Sequence, residues 1–525
     1  MLKAISARAL AGLLGMVLIL ACSPAMAAEE AKLSASSRFD KAALAPEVSV
    51  EVNVLVTIKA PEVKPAEKRQ PVAVSLVLDR SGSMDEAKKM DYAIKAGKTL
   101  VRGLESDDQF ALTVYDSDVQ VLYPLGPVKN KDKLVRLLEG VSPGTTTFLS
   151  GGLEEGVKQL GSIRKEGPSR VILLSDGLAN RGVTGVEQVA ALGAKARNAG
   201  VSVSTIGLGL DFNEDLMQLL AQRGGGNYYY IKDSEDLPSV FKQEMEHIAE
   251  SFTKHLRTCF VPAEGVKLVK VYGYSTTAQD QATDIEMGDL SSGEERRILM
   301  RVAVTPGAEG EHALGAIKLA YTDPADAKEQ TQEVPVRLAV LADPSAREEA
   351  EKQHKDSVTQ VRDEALLMEA EEAHVHALAE LEQGNIDKAR AIMREQQTNL
   401  AAAAPSNAVV AGKMQQMQMD EQNFEMAMQD TTMQKSMSKA SKSSAYMSAK
   451  GKSQGIMLQR GDKGYAVEKL RDALIKAGFK EASPATGQEA LFDSALEDAV
   501  KNFQKSKNMP QDGIAGPQTL KALGL

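Results

Sequence analysis

Val72-Ala73-Val74-Ser75-Leu76-Val77-Leu78-Asp79-Arg80-Ser81-Gly82-Ser83 decides the fold of this chain. A nearly continuous apolar run leads straight into a carboxylate and then two hydroxyls, each two residues apart. A strand that is apolar on both faces belongs to a sheet covered on both sides, as parallel sheets are. Comparable runs follow at 110–115, 171–174, 201–206 and 228–231. Between the first two, Met90, Ala93, Ile94, Gly97, Val101 and Leu104 recur at three- and four-residue spacing, so that segment buries one helical face. Strands alternating with helices define an α/β unit over 72–250, with a doubly wound, mostly parallel sheet. Ligands of such sheets sit at the carboxyl ends of the strands. Asp79, Ser81 and Ser83 fall there.

Two other connections bring oxygens to the same edge. Gly144-Thr145-Thr146-Thr147-Phe148-Leu149-Ser150 places threonine at the mouth of a βα turn, and the run at 171–174 ends in Ser175-Asp176-Gly177. Hard oxygen ligands suit Mg²⁺, Mn²⁺ or Ca²⁺, with Mg²⁺ preferred where few ligands come from protein and water completes an octahedron. Two carboxylates among neutral hydroxyls leave such an ion partly uncompensated, so it retains affinity for a carboxylate from another molecule. Alone, Asp-x-Ser-x-Ser reads as an N-capping loop. Five positions that together resemble a known family's pattern, in the expected strand-end contexts, reverse that reading.

Asp79-x-Ser81-x-Ser83, Thr147 and Asp176, in this order and on this α/β pattern, resemble the metal-ion-dependent adhesion site of a von Willebrand factor type A domain. Thr205-Ile206-Gly207-Leu208-Gly209 and the Gly-rich run before Tyr228-Tyr229-Tyr230 are also similar to that family. The resemblance implies that Asp79, Ser81, Ser83 and Thr147 ligate the ion directly or through water, and that Asp176 acts through water. Thr147 is preferred because Thr147-Phe148-Leu149-Ser150-Gly151-Gly152-Leu153 is similar to the family's Thr-x-Leu-Ser-x-Gly-Leu; Thr145 and Thr146 are the alternatives.

Outside this unit the periodicity changes. Residues 47–59 alternate Val or Ile with polar residues, the signature of a half-buried strand, and strand-like runs return at 266–271, 297–304, 316–321 and 334–341. The expectation is a β-sandwich at 251–342 that also takes its first strand from the lead at 28–71, making the α/β unit an insertion. Residues 343–412, rich in Ala, Glu, Gln and Leu and broken at Gly384-Asn385, read as a helical hairpin, part of which resembles a single tetratricopeptide unit. His374 and His376, two apart, face different sides of that helix and lack the spacing of a helical metal pair. Residues 413–453, dominated by Met, Gln, Ser and Lys, read as a flexible linker, with a helical Met-rich start as the alternative; a thioether copper site at Met414, Met417, Met419, Met426 and Met428 is the lesser reading. Asp107-Asp108 reads as a solvated turn.

Residues 454–525 return to globular composition. Leu458-x-Arg460-Gly461-Asp462-x-Gly464-x-x-Val467-x-x-Leu470, Ala499-Val500-Lys501-x-Phe503-Gln504 and Asp512-Gly513-Ile514-x-Gly516-Pro517-x-Thr519 resemble a three-helix peptidoglycan-binding domain. The chain departs from that pattern at Arg471, where the family often has Gln, and before Phe492-Asp493, where a frequent Asp-Gly is missing.

At 525 residues the chain accommodates several domains, with 43% hydrophobic and 26% charged residues overall. Its 62 basic and 72 acidic residues give a net charge of −10, which argues against nucleic acid as a partner. Residues 1–27 carry Lys3 and Arg8, an apolar stretch and Ala25-Met26-Ala27, the layout of an export signal. Two processing routes compete: cleavage after Ala27, and lipidation of Cys22 within Ile19-Leu20-Ala21-Cys22. Membrane attachment is expected only through the second. The other cysteine, Cys259, reads as a buried small hydrophobe.

The combined expectation is an exported protein of the periplasm or cell envelope, held to peptidoglycan through 454–525 and presenting a metal site to a protein partner. No arrangement of nucleophile, base and orienting group stands in a plausible context, so no enzyme is expected. The alternatives are an envelope scaffold with a structural ion and, lesser still, a wall hydrolase or its regulator.

Overall fold

The computed structural model describes residues 32–523, except 63–69, 162–166, 232–233, 235–236, 324–327, 451–457, 459–464, 484–490 and the single positions 406, 508, 510, 512 and 516. The expected export signal and Cys22 lie outside the described residues, as does Arg460-Gly461-Asp462 of the C-terminal motif.

Three strands precede the α/β unit: β1 (Ser34–Phe39), β2 (Ala43–Leu44) and β3 (Val50–Lys59). The unit itself contains β4 (Ala73–Asp79), α1 (Lys89–Gly103), β5 (Gln109–Tyr115), β6 (Val119–Pro127), α2 (Lys131–Glu139), α3 (Leu149–Gly161), β7 (Ser169–Ser175), α4 (Val186–Asn198), β8 (Ser202–Leu208), α5 (Glu214–Arg223), β9 (Gly225–Ile231) and α6 (Leu237–Ala249). Its sheet runs β6-β5-β4-β7-β8-β9, with every pair parallel except β5·β6. All seven residues of central β4 are buried, which is why its sequence is nearly continuous in apolar residues. The antiparallel edge strand β6 is only half-buried and carries no such signal. Asp108 is no solvated turn: it is fully buried and accepts hydrogen bonds from the N–H groups of Val72 (2.9 Å) and Glu105 (2.6 Å).

The chain then forms β10 (Lys254–Pro262), β11 (Val266–Val271), β12 (Thr276–Gln279), β13 (Ala282–Ile285), β14 (Glu295–Val304), β15 (Gly310–Thr322) and β16 (Glu329–Val340). They make two sheets, β1-β3-β14-β11 and β12-β13-β10-β15-β16-β2. Strand β3 pairs with β14 from Val50↔Val304 to Lys59↔Glu295, so the α/β unit is inserted between strands of one sheet. Cys259 on β10 is half-buried rather than buried; burial pushes its thiol pKa up.

Helices α7 (Pro344–Gln353), α8 (Lys355–Glu382) and α9 (Ile386–Ala401) follow, with the turn at Gly384, whose φ of +85° favours glycine. The region expected to be a linker is helical: α10 (Ala408–Gln422), α11 (Phe424–Gln429) and α12 (Thr431–Ala449). Asn407 and Asp430 cap α10 and α12. Met417, Phe424 and Ala427 pack with Leu378 and Leu381 of α8 and Met393 of α9. Methionine and alanine supplied the apolar face that the scarcity of aliphatics hid. His374 is fully buried beside Lys413 (3.0 Å) and Asp420 (3.0 Å), and burial together with Lys413 pushes its pKa down.

The C-terminal module holds α13 (Tyr465–Lys476), α14 (Ser494–Ser506) and α15 (Pro517–Leu523) around its own core, in which Leu470, Leu474, Phe492, Leu496 and Phe503 meet. Arg471 is buried, donates to the carbonyls of Ala482 and Leu491 and pairs with Asp493 (3.3 Å). Gln504 ties in the Gly513-Ile514 turn, accepting from Gly513 N–H (3.0 Å) and donating to the Ile514 carbonyl (2.9 Å). Among the described residues no helix is long and apolar enough to cross a membrane.

Candidate metal centre

The five candidate residues come from three chain segments that meet at the carboxyl end of β4 and β7. Asp79 ends β4, fully buried, and its carboxylate accepts from Ser81 N–H (2.8 Å), Ser175 Oγ (2.7 Å) and Tyr115 Oη (3.3 Å). Burial pushes its pKa up to about 6; Asp176 adds to the push, while the bonds from Ser175 and Ser81 oppose it. A cation at this edge would relieve that desolvation.

The hydroxyls gather beside it. Ser81 Oγ and Ser83 Oγ lie 3.2 Å apart, and Ser83 Oγ donates to Asp176 Oδ1 at 2.7 Å. A Cβ built on Gly177 would stand 3.4 Å from Thr147 Oγ1, 3.6 Å from Ser83 Oγ and 4.0 Å from Ser81 Oγ. Three hydroxyls from two loops thus surround one point, which glycine keeps clear. Of the three threonines, Thr147 is buried in this cradle, whereas Thr145 and Thr146 are exposed. Asn180 fixes the Thr147 backbone, accepting its N–H through Oδ1 (2.9 Å) and donating its own N–H to its carbonyl (3.2 Å). The donor set is all oxygen, two carboxylates and three hydroxyls, which fits a hard divalent ion.

Sequence reasoning missed four residues here. Ser175 and Tyr115 orient Asp79, Asn180 sets Thr147, and Lys89 Nζ donates to Asp176 Oδ2 at 2.8 Å. Only Ser175, adjacent to Asp176, had a local signal. Elsewhere on the edge, Arg80 pairs with Asp116 (3.2 Å), and Leu178, two residues beyond Asp176, is 59% exposed.

Residues 74–243 match the family model of the von Willebrand factor type A domain, and 463–523 match that of a putative peptidoglycan-binding domain. The chain carries both domains. Domains of the first type often bind a divalent metal, and the pairing marks a cell-envelope-associated protein. An uncharacterized protein of Synechocystis sp., sll0103, is 24% identical over 324 residues, 60% of this chain and 76% of that relative. The N-acetylmuramoyl-L-alanine amidase CwlL of Bacillus licheniformis is 39% identical over 83 residues, 16% of this chain and 22% of that enzyme. Among solved structures, a von Willebrand factor type A protein from Catenulispora acidiphila superposes with a TM-score of 0.57 at 18% identity, covering 73% of this chain and 89% of its own. That likeness concerns the fold alone.

Proposed function

We propose that this chain is an exported, non-enzymatic binding protein of the cell envelope that holds a divalent ion, Mg²⁺ first, at the carboxyl edge of its α/β sheet. Ser81, Ser83 and Thr147 would hold the ion, with Asp79 and Asp176 completing the set directly or through water. The observation that carries this reading is the convergence of three hydroxyls on the point beside Gly177, next to a buried carboxylate. When bound, the ion supplies a positive centre whose remaining coordination a carboxylate of a protein partner can fill. Exposed Leu178 gives that partner an apolar surface beside the ion. Residues 454–525 hold the chain to peptidoglycan, and the signal at 1–27 exports it; lipidation of Cys22 would add a membrane anchor.

Calorimetry with Mg²⁺ and Mn²⁺ on the wild type and on Asp79→Ala tests the site: equal uptake by both removes the assignment. Envelope pull-down with and without chelator tests the adhesive role. Partners recovered equally under both conditions would leave the scaffold reading, in which the ion serves only the fold. Hydrolysis of wall material by the full chain would restore the enzyme reading.

A further inference from the structure

Lys89 is the first residue of α1, yet its side chain is turned inward and only 9% exposed. Its ammonium donates to Asp176 Oδ2 at 2.8 Å and approaches the Ser83 carbonyl at 3.5 Å. The other oxygen of Asp176 is taken by Ser83 Oγ, so both are occupied, one by a full positive charge. Ala87 and Lys88, at φ of +49° and +56°, sit in the left-handed region that disfavours side chains, and they turn the backbone immediately before α1. Across the site, Gly209 leaves room: a Cβ there would lie 3.3 Å from Lys89 Cε.

The charge count follows from these contacts. Asp79 and Asp176 alone would offer a divalent ion two negative charges. With Lys89 paired to Asp176 they offer a net of one, and the incoming ion faces a buried cation on the same carboxylate. Like charges a few ångströms apart in a partly desolvated site repel by more than thermal energy.

We infer that Lys89 is a positioning residue of the metal centre, a built-in counter-charge that orients Asp176 and sets the affinity for divalent ions below what the two carboxylates alone would give. The inference rests on the proposed metal site. It gives that site a reversible character, with an ion held weakly enough to come and go, and it leaves more net positive charge for an anionic ligand once the ion is bound.

The test is calorimetric titration of the full chain with Mg²⁺ alone and Mn²⁺ alone, comparing wild type, Lys89→Met, Lys89→Gln and Asp79→Ala, with a melting curve for each. Removal of the charge is expected to tighten binding by about tenfold or more, and to enlarge the rise in Tm that Mg²⁺ produces. A lysine that served only the fold would, when replaced, leave affinity unchanged or weaken it. That result in a variant with wild-type circular dichroism overturns the inference, while the metal site itself survives if Asp79→Ala alone loses uptake. Uptake by Lys89→Met but not by wild type supports the inference and removes the ion from the native protein. Uptake by none of the four removes both. A second measurement needs no variant at Lys89: in ¹⁵N-lysine-labelled wild type, Mg²⁺ should shift the Lys89 side-chain resonance, and an unmoved signal at saturating Mg²⁺ counts against the role.

Discussion

Tyr446 of α12 accepts a hydrogen bond through its hydroxyl from the backbone N–H of Tyr228 on β9 at 3.1 Å, across 218 positions of sequence. The two rings meet edge to face at 5.5 Å. Around them α12 lays a row of lysines on the α/β domain. Lys435 pairs with Asp211 (3.0 Å), Lys439 with Glu214 and the Phe212 carbonyl, and Lys442 with Glu214 (3.0 Å) and Asp215 (2.9 Å). A stretch of low-aliphatic sequence therefore binds the α/β domain through charge and one buried aromatic. Tyr446→Phe keeps the ring but strands the Tyr228 N–H, and should cost about 1–3 kcal/mol. Tyr446→Ala should cost about 3–5 kcal/mol and expose 431–449 to protease. The check is urea unfolding with limited proteolysis; Tyr446→Ala as resistant as wild type would mean that α12 is held by its lysines alone.

Acid stability should depend on Glu244. This α6 carboxylate is fully buried and receives Arg170 Nη1 (2.8 Å), Asn227 Nδ2 (3.0 Å), Tyr229 Oη (2.6 Å) and Ser204 Oγ, joining three strands of the sheet. Burial pushes its pKa up, but Arg170, His247 and the hydrogen bonds outweigh burial and hold it at about 2. A depressed folded-state pKa stabilises the fold above the unfolded value of 4.5, and the contribution is lost as pH falls from there toward 2. The expected loss over that window is about 3 kcal/mol. Glu244→Gln should be less stable at pH 7, because Arg170 is left without its counter-charge, and its urea midpoint should vary less between pH 4.5 and 2. Parallel pH profiles for the two proteins would assign the acid sensitivity to other carboxylates.

The α/β sheet and the Asp-x-Ser-x-Ser loop were legible because their signals are local. A strand buried on both faces must be apolar at every position, and a loop that leaves it writes its ligands two residues apart. Lys89 and Tyr115 were hidden because their pairings with Asp176 and Asp79 span 87 and 36 positions. Nothing beside Lys88-Lys89 distinguishes an inward lysine from a solvated one. The polar strand β1 was missed because it forms the edge of its sheet, beside β3, with only half-buried alternate residues. The buried face of α10 to α12 is made of Met, Ala and single aromatics, so a sequence poor in aliphatics reads there as a linker.

Gly177 offers a test of the cradle that spares the fold. Its φ lies outside the left-handed region, so alanine is tolerated by the backbone, and the nearest neighbours of the added methyl would be the hydroxyls at 3.4–4.0 Å. Gly177→Ala should keep its stability within about 0.5 kcal/mol while filling the space the ion requires. Mg²⁺ affinity is expected to fall on the order of 10- to 100-fold, read by calorimetry beside a melting curve without metal. Unchanged affinity would place the ion elsewhere on the edge.

Arg471 should separate wall attachment from the metal site. It stands where the peptidoglycan-binding pattern often has Gln, which invites a role in ligand contact, yet the structure buries it against Asp493 and the carbonyls of Ala482 and Leu491. Arg471→Ala leaves an acidic group, the buried Ala482 carbonyl and the half-buried Leu491 carbonyl without their donor, a loss of about 3–5 kcal/mol. A module of this size has little stability to spare. The variant should therefore melt in its C-terminal module first and fail to sediment with purified peptidoglycan, while its Mg²⁺ titration matches wild type. Arg471→Gln, which retains a donor, should sediment at least in part. Sedimentation lost in Arg471→Ala with the module still folded would instead make the guanidinium a direct contact to the wall.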